Sequence, residues 1–444
     1  MYKIDRIHVK KNTPIGAYAD NYAHLAKNLY NAALFLLRNN YTAFGKENLT
    51  PNEISVREEL AGCGIEPKRY LSYFTLEKVM RKTSNPDFFS GLPMQTAQQE
   101  LRRAADDFSN WIKALNAWYK DPSKFLGKPK MPGYKKADIT AFKFTNQDAV
   151  LRNGRLKLPR TKLTLKTPLR EERRLKEVIV TPEYDGFDFL LVYELPDPSP
   201  AKGSHAAAID FGVNNIVTIV SDEGTSAIFK IRPEKAENQF FNKEKARLSS
   251  ALTKGHSQMS VKSNELSRLS NHRKLFLRDC QHKIAKRVVE FCLANEVGTL
   301  ALGYNKGQKQ RSDMGKSNNQ AFVMLPIAGL MNTISEKAMA SGIKVVMQEE
   351  SYTSKASFLD HDEIPVYGNE CGTPVFSGSR IHRGLYRAKD GTLLNADINA
   401  AANILRKAGF DTSGIDKSRL QVPFVIGFRD LNNKCIPLKR IVAA

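Results

Sequence analysis

Four acidic residues in this chain have the setting that metal-dependent cutting of a phosphodiester requires. Asp210 ends the run Ala206-Ala207-Ala208-Ile209, small and β-branched residues that read as a strand buried on both faces, and Gly212 follows two residues later. A carboxylate at the end of a buried strand is costly unless it is paired, hydrogen-bonded or bound to a cation. Glu349 and Glu350 close a second strand-like run, Ile343-Lys344-Val345-Val346-Met347-Gln348, and Asp397 lies where Asn395-Ala396-Asp397-Ile398-Asn399 opens a helix. That chain order suits a site for two divalent cations about 4 Å apart, which needs several acids converging while positions stay open for water and phosphate. Each residue also has a plainer use. Asp210 can cap a tight turn, Asp397 can be the N-cap of a helix over 399–407, and Glu349 and Glu350 can form an exposed acidic strand end. Strand alternation puts Glu349 on the face of Val345 and Met347, and Glu350 on that of Val346 and Gln348, so at most one points straight at a site. Glu350, nearer the turn, is the preferred ligand and Glu349 its alternative.

The elements that must position these acids follow from patterning. Ile216-Val217-Thr218-Ile219-Val220 is a second strand, 221–225 a turn and 226–231 a third strand, which puts Asp210 at the first corner of a β-meander. Residues 234–296 read as two long helices hinged near Gly255, with Phe276, Cys280, Ile284, Val288 and Phe291 along one face. Thr299-Leu300-Ala301-Leu302-Gly303 is a fourth strand, 305–320 a polar, basic loop, 325–341 a helix and 343–350 a fifth strand. Residues 355–394 show little regular pattern before the last helix.

Upstream, Met1 to Lys10 alternates apolar and polar like a half-buried strand. Residues 14–44 form one helix, and a second starts near Pro93 with Ala97, Leu101, Ala104, Phe108, Ile112 and Leu115 as its buried stripe. The open face of that second helix carries Gln95, Gln98, Gln99, Arg102 and Arg103. Between 120 and 176 there are seventeen Lys/Arg against five Asp/Glu, interleaved with Phe125, Tyr134, Phe142 and Phe144. Short alternating runs there suggest small strands with basic side chains such as Lys128, Lys130, Lys135 and Lys136 on an open face that tracks a phosphate backbone. With a hairpin about Asp185-Gly186, these strands can close a small barrel around an inserted helical domain. Pro196-Asp197-Pro198-Ser199-Pro200 is a linker.

The formal charge of +22 over 444 residues points to a polyanionic partner. No apolar run is long enough to cross a membrane and the N-terminus lacks a signal-peptide core, which predicts a cytoplasmic protein with no membrane partner. Five scattered cysteines argue against a disulfide framework.

Taken together, Ile209-Asp210-Phe211-Gly212-Val213-Asn214-Asn215, Tyr352-Thr353-Ser354-Lys355-Ala356-Ser357-Phe358-Leu359-Asp360, Arg383-Gly384-Leu385-Tyr386-Arg387 and Asn395-Ala396-Asp397-Ile398-Asn399-Ala400-Ala401 resemble the RuvC half of TnpB, a family of transposon-encoded RNA-guided DNA endonucleases ancestral to type V CRISPR effectors. Gly315-Lys316-Ser317-Asn318-Asn319-Gln320 is similar to one branch of it. The resemblance implies an α/β and β-barrel multidomain fold: an RNase H-like (RuvC) nuclease domain preceded by a small basic β-barrel, the wedge, with an inserted helical recognition domain. On this chain the boundaries become 1–12 for the first wedge strand, 13–119 for the helical domain, 120–200 for the barrel and linker, 201–409 for the nuclease and 410–444 for a tail. It also implies a guide RNA and a double-stranded DNA target as partners, two Mg²⁺ ions on Asp210, Glu350 and Asp397, and nucleic-acid contacts from Gln95, Gln98, Gln99, Lys128, Lys130, Tyr134, Lys135, Lys136, Lys316, Gln320, Arg380 and Arg383. In such complexes base pairing selects the sequence while the protein grips backbone and shape.

Two departures from the family pattern stand out. Gly303 occupies the fourth-strand end, where most relatives carry the second catalytic acid, so that acid is expected to have moved to Glu350. Residues 355–394 replace a four-cysteine zinc finger but keep only Cys371, beside His361 and His382, so no zinc is expected. Rival readings are a nuclease-dead RNA-guided repressor of the same fold and a DDE-type transposase that works without RNA.

Overall fold

The computed structural model describes residues 1–66, 68–168, 173–230, 232–253, 263–305, 326–368 and 373–432. The expected hinge at Gly255, the loop residues Lys316 and Gln320, and Cys371 lie outside them. The chain divides into two compact units, Met1–Pro196 and Asp197–Ala444.

In the first unit, strand β1 (Tyr2–Lys10) leads into helix α1 (Pro14–Ala43). Thr13 caps the helix by accepting from the Gly16 amide, and Pro14 sits where no amide partner is needed. Helices α2 (Pro51–Gly62) and α3 (Tyr73–Lys82) follow, the former started by a Thr50/Glu53 capping box. Helix α4 (Met94–Lys120) buries Ala97, Leu101, Ala104, Phe108 and Leu115. Then come β2 (Phe142–Thr145), β3 (Val150–Arg152), β4 (Arg155–Lys157), β5 (Thr164–Lys166), β6 (Arg174–Glu183) and β7 (Gly186–Glu194). The expected barrel does not close among the described residues. Strands β1-β7-β6-β2 form one antiparallel sheet with β1 and β2 at its edges, while β3-β4-β5 form a sheet of their own. The three-residue strands β3, β4 and β5 form too few ladder bonds to bridge those edges, and they pair with one another. Nor is the helical part a separate domain. Phe144, Val178, Phe189 and Leu156 share one core with Leu29, Leu37 and Leu101.

The second unit is built on a six-stranded sheet in the order β12-β11-β8-β9-β10-β16. Strands β8 (His205–Asp210), β9 (Asn215–Ser221) and β10 (Ser226–Lys230) form the antiparallel meander. Helices α5 (Arg232–Thr253) and α6 (Asn264–Ala294) lead to β11 (Val297–Tyr304), which lies parallel to β8. Helix α7 (Ile327–Ala340) returns the chain to β12 (Lys344–Glu349), parallel to β11. Alternation then sorts the side chains. Ala207, Ile209, Leu300 and Leu302 face Ile284, Val288 and Ile334 of α6 and α7. On the other face, Ala206, Ala208 and Ala301 meet Ile398, Ala401 and Ile404 of helix α8 (Ala396–Lys407). Small residues on that face bring α8 close to the strands.

Two expectations about irregular sequence are corrected here. Within 355–394 the chain forms a small antiparallel sheet of β13 (Ser379–His382), β14 (Leu385–Arg387) and β15 (Leu393–Asn395). Beyond 409 the chain is not a tail: after helix α9 (Lys417–Gln421), β16 (Phe424–Ile426) pairs parallel with β10 and completes the main sheet.

Glu234, in the first turn of α5, is 3% exposed, and burial pushes its carboxyl up to about 7. A raised acid binds its proton more tightly in the folded state, so its stabilising effect is complete below the unfolded value near 4.5 and lost as pH rises through 7. Glu234→Gln is therefore expected to be more stable than the parent at pH 8, by up to about 3 kcal/mol at ~1.4 kcal/mol per unit. Near pH 4 the two should match. Urea denaturation at both pH values checks this.

Candidate active site

Asp210 is the last residue of β8, and the corner after it is tight. A Cβ on Gly212 would come within 2.6 Å of the Asn215 carbonyl oxygen, so only glycine lets the chain turn here. Phe211 and Val213 are buried and anchor the corner. Among the described residues the Asp210 carboxylate accepts no hydrogen bond from this turn, which disfavours the capping role. Its pKa is raised well above the ordinary aspartate value, first by desolvation, then by the charges of Glu350 and Asp397, with Arg380 opposing. Two acids from distant parts of the chain therefore act on Asp210.

Register explains how Glu350 joins them. Strand β11 lies between β8 and β12, Leu302 pairs with Ile209, and Gly303 pairs with Gln348. A Cβ on Gly303 would sit 2.7 Å from Glu350 Oε2, 2.7 Å from Ile404 Cδ1 and 3.0 Å from the Ile209 carbonyl oxygen. The Glu350 carboxylate thus occupies the space a side chain at 303 would need. Burial, with Glu349 adding to it and Lys407 opposing, pushes its pKa up to about 7. Glu349 is engaged elsewhere: Lys407 Nζ lies 2.6 Å from its Oε2, and its Oε1 accepts from the Ser351 amide at 2.5 Å. Although burial pushes the Glu349 carboxyl up, these bonds hold it below the usual glutamate range. Of the two acids, Glu350 is the one turned toward Gly303 and Asp210.

Asp397 is not the N-cap of its helix. Asn395 takes that role, its side chain accepting from the amides of Asp397 and Ile398. The Asp397 carboxylate is left to accept from Asn215 Nδ2 at 2.7 Å and to face Arg380 at 3.4 Å. Neither Asn215 nor Arg380 was assigned this role from sequence; Asn215's place in the Asp210 motif was the available signal. Two further acids, Asp360 and Asp362, are structural. Asp360 accepts from Ser357 Oγ and the Lys389 amide, and Asp362 from the amides of Ser357 and Ser377. Fully buried Asn399 and Asn403 on α8 hold the same loop through Phe358, Ala356 and Thr353.

The donor set at Asp210, Glu350 and Asp397 is all carboxylate oxygen, the chemistry of a hard divalent cation, and mutual repulsion at a desolvated Asp210 is what a cation would relieve. Among the described residues, no three acid, histidine or cysteine side chains are drawn together tightly enough to hold an ion as they stand.

Residues 190–309 match the OrfB_IS605 family, described as a probable transposase. A TnpB-like protein of Acidianus two-tailed virus is 26% identical over 248 residues, 54% of this chain and 48% of that protein. Over these segments the chain is similar to TnpB-type proteins. A CRISPR-associated endodeoxyribonuclease, Cas12f2, of a Micrarchaeota archaeon is 27% identical over 135 residues, 29% of this chain and 23% of that protein. The matches span less than half the length of either curated relative. Among solved structures, a Cas12f1–sgRNA–target DNA complex has a chain that aligns with TM-score 0.46 and 16% identity, over 88% of this chain and 82% of that one.

The family match takes in Asp210 and Gly303 and stops short of Glu350 and Asp397. The remaining residues assigned to nucleic acid fall in both units. Lys128, Lys130, Tyr134 and Lys136 are exposed on the first unit, in the irregular stretch between α4 and β2. Lys135 is partly buried, its ammonium 4.6 Å from the Tyr30 ring centroid. Gln95 and Gln99 are half-buried on α4, and Gln98 donates to Glu77 of α3 at 2.9 Å, a tie between helices rather than a free recognition group. In the second unit Arg380 and Arg383 are both exposed.

Gly303→Ala tests the slot. The Glu350 carboxylate is the end of a flexible side chain and can give way, while the packed Ile404 methyl must shift with it, so the sheet should persist at a cost of about 1–3 kcal/mol, with the Glu350 carboxylate displaced. Thermal melting and a high-resolution structure of the variant check both parts.

Proposed function

We propose that this protein is an RNA-guided DNA endonuclease whose second unit is an RNase H-like, RuvC-type nuclease. The observation that carries this reading is the Glu350 carboxylate over Gly303, electrostatically coupled with Asp397 to Asp210. The strand order supports it: an antiparallel meander with its first strand next to two parallel strands puts the ends of β8, β11 and β12 side by side. The family match over residues 190–309, a relative named as an endodeoxyribonuclease, and a charge of +22 support it as well.

In this reading Asp210, Glu350 and Asp397 would hold two Mg²⁺ ions, which when bound activate water and stabilise the charge developing on the cleaved phosphate. Asn215 fixes the orientation of Asp397, and Arg380 offers a donor to a phosphate oxygen approaching the acids. The exposed lysines of the first unit bind backbone phosphates of the guide and its target. Zinc is not part of the proposal.

Glu350→Ala and Glu349→Ala, assayed separately with Mg²⁺ and a matched guide, decide the site. Glu350→Ala should reduce DNA cutting by at least about 100-fold, a typical loss for a catalytic group, with target binding retained. Glu349→Ala should keep more activity. Cutting as fast as the parent by both single variants and by the double would sink the assignment. A guided repressor that does not cut is the second reading, favoured by the Arg380–Asp397 pair; it requires target binding without cutting by the parent protein. Sequencing RNA that co-purifies separates both from a DDE-type transposase, which would carry none.

For the first unit, replacing Lys128, Lys130 and Lys136 by Gln should weaken nucleic-acid binding and lower the slope of log K against log salt by about one per lost phosphate contact. A salt titration showing an unchanged slope rejects these residues as phosphate ligands.

A further inference from the structure

Lys407, the last residue of α8, is not used by the reading above. Its side chain is only 8% exposed, and its ammonium donates to Glu349 Oε2 at 2.6 Å, to the Ser351 carbonyl at 3.0 Å and to the Pro365 carbonyl at 3.1 Å. An ammonium has three protons to donate, so three acceptors satisfy it. Glu349, part-exposed, spends its other oxygen on the Ser351 amide. One residue further on, the Thr353 hydroxyl donates to the Glu350 carbonyl at 2.9 Å. The backbone on both sides of Glu350 is therefore tied down, and Glu350 is the residue whose carboxylate falls over Gly303. Solvent could satisfy a strand-end turn of this kind. Desolvating an ammonium to hold it is costly, and a charge pair of this sort contributes fixed geometry more than net stability.

We propose that Lys407 and Glu349 form a positioning clamp that aims Glu350 into the Gly303 slot, so that the end of β12 does the work of an acid at the end of β11. The clamp rests on the reading of Glu350 as a metal ligand. Neither clamp residue is catalytic: both act through the turn. The pair links the last turn of α8 to the turn that carries Glu350, while the first turn of α8 carries Asp397, so one helix fixes two of the three acids.

The test compares the full-length parent with Glu350→Ala, Lys407→Met, Lys407→Arg and the double variant Lys407→Met/Glu349→Gln. Three quantities are measured: melting temperature, Mn²⁺ affinity by electron paramagnetic resonance without nucleic acid, and Mg²⁺-dependent DNA cutting. Partners that orient a metal ligand typically change affinity by about 10–100-fold. Lys407→Met is expected to weaken Mn²⁺ binding at least about tenfold and to slow cutting by a similar factor. The double variant leaves no carboxylate unpaired and should regain melting temperature without regaining Mn²⁺ affinity, whereas Lys407→Arg should regain part of both. Recovery of Mn²⁺ affinity in the double variant, or a Lys407→Met affinity equal to the parent's, overturns the clamp. A Glu350→Ala affinity equal to the parent's, or no Mn²⁺ binding by the parent, overturns the ligand reading beneath it, and the clamp falls with it.

Discussion

The second unit depends on a repulsion. Asp210, Glu350 and Asp397 are acids brought within electrostatic reach at a place where Asp210 is desolvated, an arrangement that disfavours the charged forms. Folding tolerates it because each carboxylate is delivered by a rigid element whose own packing is favourable. Asp210 hangs from a strand whose alanines and isoleucine are fully packed, Asp397 from a helix with its own asparagine cap, and Glu350 from a turn tied to the end of that helix. Stored repulsion of this kind is the ordinary cost of a site that attracts cations.

Helix α8 is the element that makes the arrangement possible. Its alanines meet the alanines of β8 and β11, so backbone approaches backbone closely. Two fully buried asparagines on it satisfy backbone groups of the loop after β12 that would otherwise be orphaned in the core. That loop leads, through Asp360 and Asp362, to the small sheet that brings Arg380 to Asp397. Hydrogen bonds and packing thus organise the described part of this segment.

The first unit shows a different economy. Its core is shared by helices and strands, so neither would keep its buried face alone. Several of its cations rest on aromatic rings, Lys135 over Tyr30 and Arg38 over Tyr134 among them. Such contacts hold long basic side chains in place at modest cost.

Much of this was legible in the sequence because it is local. Helix α1 and the buried stripe of α4 follow from helical spacing, the strands of the meander and of β11 and β12 from runs of small and β-branched residues, and the importance of Asp210 from a charge where a buried strand ends. Helices α2 and α3 went unread, since the former has a weak apolar face and the latter is a short ten-residue element. The barrel and the tail were misjudged for one reason: which strand pairs with which is a long-range matter. Whether β2 meets β1, or β16 meets β10, is settled by sheet edges that no local pattern records. The choice between Glu349 and Glu350 was of the same kind. Alternation says that they point to opposite faces, but Lys407, 58 residues beyond Glu349 and brought to it by α8, is what occupies one and leaves the other to fill the space above Gly303.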